Sequence, residues 1–462
     1  MVAATVSLFL TLASLVAAQA PPALSVDPNI PQTAAIGPQG QAIPPLAAIT
    51  SGAPSGPTQA ITNTFAFGAT PSVSGAAPIP TFVAGNAVAQ GYPPLDQIPP
   101  VDSPQVKAWV ASINWAQVPT FGPTDGTCAG SPAAAADTTR CWWTCGGCTR
   151  DTDISTCPDK LTWGLSYDDG PSPYTPLLLN YLNEKNYKST FFVVGSRVVS
   201  RPDMVVAEYM TGHQLSIHTW SHASLTKLTN EQIVAELGWT KKAIKDVIGV
   251  TPNTFRPPYG DIDDRVRAIA AQLGLTPIMW TQHVEAGVRT TFDTTDWNIP
   301  GGQATGPSAV SKFEAILNTY VPKLNTGFIV LEHDLYQSTV DLAVGYFLPL
   351  AEKANKYKFA SIVQCLGLPN SEAYIETSAN ATATLKLSGT APVFQATVGT
   401  GTAPAPKITT GTSAVGSAAG SSGAGPSAGP SISNKGSGAS RFSAASVVVA
   451  FAFVAGAVAF AA

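Results

Sequence analysis

The segment LTWGLSYDDGP, residues 161–171, decides the fold because it joins a buried β-strand to a polar turn. Its first part, Thr162–Tyr167, is a short apolar and aromatic run that is typical of a strand. Two adjacent carboxylates, Asp168 and Asp169, follow it, and glycine and proline then end the run. Taken alone, these residue types indicate no more than a turn. Their meaning depends on the rest of the chain.

Similar runs recur beyond this segment and alternate with helical patterns. The predicted strands are Thr162–Tyr167, Thr190–Val194, Gln214–His218, Asn253–Arg256, Thr276–Trp280, Gly327–Leu331 and Phe359–Val363. The predicted helices are Tyr174–Asn186, Asn230–Ile248, Asp264–Leu273, Ser308–Tyr320 and Val340–Tyr357. Strand–helix units in series favour a parallel α/β fold, an irregular TIM-like (β/α) barrel of about seven strands. A doubly wound open sheet is the alternative.

Polar side chains follow the predicted strands at their carboxyl ends. Asp168 and Asp169 follow the first strand, His218 ends the third, Arg256 ends the fourth and His333 follows the sixth. Barrel enzymes build their active sites at this end of the strands. We therefore expect these side chains to lie together.

The residue types at this end fit metal-assisted hydrolysis. His218 and His222 are four residues apart, so both imidazoles would reach one ion if a helical turn follows the third strand. One carboxylate and two imidazoles make a three-ligand site with an open position for water. A second carboxylate and His333 would remain to move protons.

At this point the chain resembles the polysaccharide deacetylases with a NodB-homology domain, carbohydrate esterase family four. The motifs that carry the resemblance are, in order, Ser166–Pro171, His218–His222, Arg256–Gly260, Asp293–Trp297 and Leu331–Asp334. They span about 161–365 of the chain. Ala223 departs from the proline that many members have after the second motif, which affects a turn and not a ligand. The lead-in and both tails are similar to those of fungal cell-wall chitin deacetylases with a lipid anchor.

The resemblance implies a role for each matched residue. Asp169, His218 and His222 would hold a divalent metal, Zn²⁺ by ligand type with Co²⁺ as the alternative. Asp168 would act as general base and His333 as general acid.

The remaining matched residues would support these groups. The backbone N–H of Tyr259 would stabilise the oxyanion and its side chain would meet substrate. Arg256 and Asp296 would pair, one orienting Asp168 and the other tuning His333. Trp297 and Leu331 would wall an apolar pocket for the acetyl methyl group.

The function implied by the resemblance is removal of N-acetyl groups from the N-acetylglucosamine units of chitin, giving chitosan and acetate. The partners would be chitin or its oligomers, and the enzyme would be a monomer. Two alternatives remain open. One is the same chemistry on a peptidoglycan-type glycan or on O-acetyl xylan; the other is a non-catalytic glycan-binding wall protein.

Composition restricts the folded part to the middle of the chain. Between residues 19 and 100 the only charged residues are Asp27 and Asp96, and 16 of the 39 prolines fall there. We therefore predict a disordered lead segment at 19–100, a cysteine-rich lead-in at 101–157, the deacetylase domain at 158–370 and a stalk at 371–434. The net charge of −4 and the lack of a basic cluster exclude a nucleic-acid partner.

Both ends of the chain predict targeting. Residues 1–18 have the short apolar run and small residues of a secretory signal peptide, with a buried helix as the alternative. Residues 435–462 are predicted to be a removed propeptide, because an apolar tail follows small residues as in glycolipid anchoring. Asn434 is the first choice of anchor site, with Gly436 or Ser437 next, and a membrane-spanning tail is the alternative. The lipid anchor would be the only membrane contact.

Six cysteines behind a signal peptide predict three disulfides, although the cluster at 141–148 also resembles a zinc knuckle. Cys157 and Cys365 flank the predicted barrel, and we favour a bridge between them. Asn380 heads the one glycosylation sequon.

Four further residues match no motif. His213 is predicted to be structural. His283 is predicted to lie in a loop on the catalytic side, where it either contacts substrate or has no role. Trp142 and Trp143 are predicted to pack in the cysteine cluster or to stack on sugar.

Overall fold

The computed structural model of the chain describes residues 37–85 and 87–379. Within them, parallel strands occupy the positions that the sequence predicts. The strands are β1 (Thr162–Gly164), β2 (Ser166–Asp168), β3 (Thr190–Val193), β4 (Gln214–Ile217), β5 (Thr254–Phe255), β6 (Thr276–Pro277), β7 (Gln282–Glu285), β8 (Val288–Thr291), β9 (Phe328–Ile329) and β10 (Lys358–Ala360).

The strands close into a barrel. β1 and β2 are two halves of one strand interrupted at Leu165; β1 pairs in parallel with β10 and β9, and β2 pairs with β3. From β3 the ring continues through β4, β5 and β6, all in parallel. It closes where the Thr281 N–H donates to the Ile329 carbonyl at 3.0 Å. A parallel bridge between Asp168 and His333 joins the same ring at its carboxyl end. The prediction of an irregular barrel is confirmed, and the open sheet is wrong.

Helices surround this ring. They are α1 (Pro104–Ala111), α2 (Pro132–Ala136), α3 (Thr175–Glu184), α4 (Gly195–Ser200), α5 (Pro202–Met210), α6 (Asn230–Ile248), α7 (Asp264–Gln272), α8 (Gly306–Ala315), α9 (Gln337–Leu342), α10 (Leu348–Ala354) and α11 (Ile362–Cys365). The bounds of α6 match the prediction, because Thr229 and Gln232 form a capping box at its start and Gly249 ends it with a φ of 83°.

Other elements differ from the prediction. The patterns at 308–320 and 340–357 are helical, but each contains a π-helical turn, at Ile316–Tyr320 and Ala343–Phe347. The helices α4 and α5 and the hairpin of β7 and β8 are absent from the prediction. The last predicted strand ends early, since Ser361 caps α11 with its own capping box.

The predicted disordered lead segment is wrong for the part that the structure describes. Residues 37–85 and 87–100 contain little regular secondary structure, but they lie against the barrel and its helices. Ile43, Leu46 and Ile49 are buried in the same apolar core as the strands, as is Tyr92. Irregular backbone is stable here because each apolar side chain enters a site that the helices provide.

The segment after it packs in the same way. Trp109 of α1 contacts the edge of Trp239 on α6 with ring centroids 5.5 Å apart. Gly238 permits this approach, because a Cβ there would lie 2.4 Å from the Trp109 ring. Residues 101–157 are thus part of the folded unit.

All six cysteines form disulfides: Cys128–Cys145, Cys141–Cys148 and Cys157–Cys365. The last is the bridge favoured from the sequence, and it ties the chain before β1 to α11. A zinc knuckle at 141–148 is therefore wrong. No helix within the described residues is long and apolar enough to cross a membrane. Asn380, Asn434, the predicted signal peptide, most of the predicted stalk and the C-terminal tail lie outside the described residues.

Candidate metal centre and catalytic site

Three predicted ligands converge at the carboxyl end of the barrel. Asp169 follows β2, and His218 and His222 follow β4. Asp169 Oδ1 lies 3.3 Å from His218 Nε2 and 3.0 Å from His222 Nε2. This is the one group of three acidic, histidine or cysteine side chains within the described residues that is arranged to hold a metal ion.

The two imidazoles converge for a different reason from the predicted one. No helical turn follows β4; Thr219 and His222 instead take left-handed backbone angles, with φ of 64° and 60°. Each such non-glycine residue costs about 1–2 kcal/mol. The surrounding contacts must offset that cost, so the loop from His218 to His222 is held in place by its neighbours and not by its own preference.

The protonation of these three side chains suits the binding of a cation. His218 Nδ1 lies 2.8 Å from the Arg256 carbonyl, which only accepts, so Nδ1 carries the proton and Nε2 presents a lone pair toward Asp169. Asp169 Oδ1 is buried and makes no regular hydrogen bond. Burial alone would raise the pKa of Asp169, but the neighbouring imidazole of His222 outweighs burial and holds that pKa well below its usual range. Facing electron-pair donors of this kind suit a divalent metal.

Asp168 is held by a buried ion pair. Arg256 Nη1 donates to Asp168 Oδ1 at 2.6 Å and to Ser166 Oγ at 3.1 Å. The guanidinium also lies over the Phe192 ring, 4.0 Å from its centroid. Asp168 Oδ2 remains on the side of the metal group, 3.8 Å from His218 Nε2. This arrangement fixes one carboxylate oxygen and leaves the other free to accept a proton.

His333 is held by Asp296. Its backbone N–H donates to Asp296 Oδ2 at 2.9 Å, and its Nδ1 lies 2.8 Å from Asp296 Oδ1. Burial opposes a charge on this ring, but Asp296 outweighs burial and raises the pKa of His333 to about 10. The imidazole is therefore protonated at neutral pH and can donate a proton from Nε2.

The resemblance implies that Arg256 and Asp296 pair with each other, but in the structure they do not. Arg256 forms its ion pair with Asp168, and Asp296 forms its own with His333. The two supporting residues thus act on opposite sides of the site.

The predicted substrate residues lie at the rim. Tyr259 has a φ of 60° and is 65 % exposed, with its ring against His222 at 4.7 Å between centroids. Trp297 is 44 % exposed, and its Nε1 donates to Asp293 Oδ1 at 3.3 Å. Leu331 is buried and bridges in parallel to Asp293. The rings of Tyr259 and Trp297 are therefore accessible to a sugar, whereas Leu331 is not.

Two supporting residues were missed from the sequence. Arg197, at the start of α4, donates to the Asp169 carbonyl at 2.5 Å. Its place three residues beyond the strand Thr190–Val194, at the same end as the other site groups, would have identified it. Asp261 accepts hydrogen bonds from Trp142, Thr144 and Thr226 and so joins the Tyr259 loop to the cysteine cluster; no sequence pattern indicates this.

None of the residues that match no motif belongs to the metal group. His213 is fully buried, accepts from the Ser189 N–H at 3.1 Å, and burial lowers its pKa to about 3, so its role is structural. His283 lies on β7 and not in a loop, beside Tyr320. Trp142 and Trp143 are buried, which fits packing and not stacking on sugar.

The arrangement as a whole suits metal-assisted hydrolysis of an acyl bond, and comparison with known proteins agrees. The family model described as polysaccharide deacetylase matches residues 155–278. Chitin deacetylase 1 of Cryptococcus neoformans var. grubii is 57 % identical over 420 residues, covering 89 % of this chain and 88 % of its own. The chitin deacetylase of Amylomyces rouxii is 42 % identical over 213 residues, covering 44 % of this chain and 48 % of its own.

Among solved structures, the chitin deacetylase of Colletotrichum lindemuthianum aligns with a TM-score of 0.42 and 26 % identity, over 49 % of this chain and 97 % of that one. Because identity to the Cryptococcus protein is high over nearly the whole length of both chains, this chain belongs to the polysaccharide deacetylase family, in its group of chitin deacetylases.

Proposed function

We propose that this chain hydrolyses the N-acetyl groups of chitin, releasing acetate and leaving free amines on the glucosamine units. One observation carries the proposal: the Asp168 carboxylate, held by Arg256, and the His333 imidazole, held by Asp296, both accompany the three-ligand group at the same end of the barrel. Hydrolysis of an amide needs both a base for water and an acid for the departing nitrogen. The identity to the Cryptococcus chitin deacetylase supports chitin as the polymer.

Asp169, His218 and His222 would hold the metal, which we propose is zinc because two imidazoles and a carboxylate suit its coordination preferences. When bound, a divalent ion supplies a Lewis acid that acidifies water and polarises the acetamide carbonyl. Their short mutual distances mean that only small side-chain shifts would accommodate an ion.

The other residues would move the protons. Asp168 Oδ2 accepts a proton from the attacking water while Arg256 holds the opposite oxygen. The Tyr259 N–H donates to the oxyanion that forms, and the contact of the Tyr259 ring with His222 supports this role by placing the residue beside a proposed ligand. His333 then protonates the amine nitrogen, a step that matters because an amide nitrogen leaves poorly as an anion.

Acetate release from defined chitin oligomers, followed by mass spectrometry, tests the proposal. We expect activity that chelation abolishes and zinc restores, with cobalt as a second metal to try. Asp168→Asn should lose at least about 100-fold of the rate, as expected on loss of a general base. Asp203→Asn, a change at an exposed carboxylate on α5, is the matched control and should keep full activity. A fully active Asp168→Asn would refute the assignment.

A substrate panel extends the same experiment. It compares chitin oligomers with a peptidoglycan-type glycan and O-acetyl xylan under identical conditions. Turnover of either alternative without turnover of chitin would replace the substrate and keep the mechanism. Tight glycan binding without turnover under any metal would favour a non-catalytic wall protein.

We further propose that the chain is secreted and attached to the cell surface by a glycolipid. The support is the apolar C-terminal tail behind a polar stalk, with Asn434 as first choice of attachment site and Gly436 or Ser437 next. Three disulfides fit an oxidising compartment. Release from cells by a phosphatidylinositol-specific phospholipase tests the anchor, and a mobility shift on deglycosylation that Asn380→Gln removes tests the sequon.

A further inference from the structure

The loop between the two histidine ligands depends on a residue that belongs to no motif. His218 and His222 are joined by Thr219, Trp220 and Ser221, and the loop contains two left-handed residues. It therefore needs partners that hold its backbone. On one side of the loop, the Tyr92 ring stacks on the Trp220 ring, with ring centroids 5.9 Å apart.

From the inside, the backbone of the loop is held by Glu236 of α6. Glu236 Oε2 accepts the N–H of Trp220 at 2.7 Å and the N–H of Ser221 at 2.9 Å. Glu236 Oε1 accepts the Ser221 hydroxyl at 2.5 Å. All three bonds end on Trp220 and Ser221, two of the three residues that lie between the ligands.

The position of Glu236 is otherwise unfavourable for a carboxylate. Its side chain is fully buried, and no cation within the described residues pairs with it. A buried acid without such partners is a net cost to folding. The hydrogen bonds to the loop are what make a carboxylate acceptable here, because peptide N–H groups stabilise a buried negative charge.

Glu208 of α5 provides a comparison within the same molecule. It is equally buried, yet neither of its carboxylate oxygens has a hydrogen-bond partner within the described residues. Its carboxylate therefore accepts no hydrogen bond from the loop. The two glutamates therefore separate the effect of a buried acid from the effect of holding the loop.

We propose that Glu236 is a positioning residue of the metal site. By fixing the N–H groups of Trp220 and Ser221, it holds both histidines in the arrangement that one ion requires, and so sets the metal affinity of the enzyme. The inference rests on the proposed metal site. Partners that orient metal ligands typically contribute roughly 10–100-fold in metal affinity.

The test compares Glu236→Met and Glu236→Gln with the matched controls Glu208→Met and Glu208→Gln. Zinc affinity of each metal-free protein is measured by competition with a chromogenic chelator, and acetate release is titrated with zinc. We expect Glu236→Met to weaken zinc binding about tenfold or more. Glu236→Gln keeps an acceptor but loses the charge, so we expect about threefold weakening. Both Glu208 variants should bind zinc like the unaltered protein.

Activity distinguishes positioning from a general loss of structure. The zinc concentration that half-restores acetate release should rise in Glu236→Met by the same factor as the dissociation constant. The inference would be overturned if both Glu236 variants bind zinc with an affinity within twofold of that of the unaltered protein. If Glu236→Met does not fold, the zinc affinity of Glu236→Gln decides alone. An unaltered protein that binds no zinc and releases no acetate would instead refute the proposed function.

Discussion

Replacing Asp296 by asparagine should move the alkaline limit of activity by several pH units. The Asp296 carboxylate accepts from the backbone N–H of His333 and lies against its ring Nδ1, and it makes the largest contribution that raises the His333 pKa. Asparagine keeps the shape and one hydrogen bond but removes the charge. Burial then opposes only the smaller contributions of Asp169 and Asp168, so we expect the pKa of His333 to fall from about 10 toward its ordinary value of 6.5.

The size of the effect follows from the protonated fraction of His333. At pH 8 a group with a pKa of about 10 is about 99 % protonated, whereas one with a pKa of 6.5 is about 3 % protonated. Little of His333 would then be protonated and able to act as general acid, so the rate at pH 8 should fall about 30-fold from this cause alone. At pH 6 the same calculation gives a loss of less than about twofold.

The assay is kcat/KM for a chitin oligomer, measured from pH 5 to pH 10 at saturating zinc for both proteins. We expect the ratio of the two rates to grow steadily with pH above about 6.5. A loss of activity that is constant over this range would refute the reasoning, because it would mean that Asp296 orients His333 without setting its charge. Zinc affinity, measured in parallel, should be unchanged, since the Asp296 side chain bonds to His333 and Trp297 and not to the proposed ligands or the loop between them.

Three further predictions concern stability. The folded pKa of His333 lies above its unfolded value, so protonated His333 stabilises the fold. This contribution to stability is full below about pH 6.5 and is lost as pH rises through about 10. Thermal melts of the metal-free protein across that range will check it. Arg256→Met leaves the buried Asp168 carboxylate without its partner, so we expect a loss of about 3–5 kcal/mol in chemical denaturation. Cys157→Ser opens the disulfide to Cys365, which spans 208 residues, and should cost roughly 5 kcal/mol of unfolding free energy.

The barrel could be predicted from the sequence because its strands are short apolar runs with polar residues at their carboxyl ends. Those polar residues, Asp168 and His218 among them, then gather at one end as a matter of topology. The helices α4 and α5 could not be predicted in the same way. They are short, and Pro202 separates them, so neither shows enough turns for a helical period.

The supporting contacts of the site were harder to predict than its ligands. Glu236 acts on a loop 15 and 16 residues before it and Asp261 on Trp142, 119 residues before it, and no periodicity in the sequence connects either acid with its partners. The lead segment was misjudged for a related reason. Ile43 and Leu46 follow no period, because irregular backbone places each side chain singly. Composition alone therefore resembled that of a linker.

The path of this lead segment bears on how the chain is made. Pro44 accepts a hydrogen bond from Tyr346, 302 residues further along, and the Gly56 N–H donates to Gln337, 281 residues further along. During synthesis these early residues leave the ribosome long before their partners exist. Their apolar side chains stay exposed to solvent until the last helices of the barrel have formed. Contacts of such long range slow folding. We expect this enzyme to complete its fold only after translation, with the first part of the described chain among the last to dock.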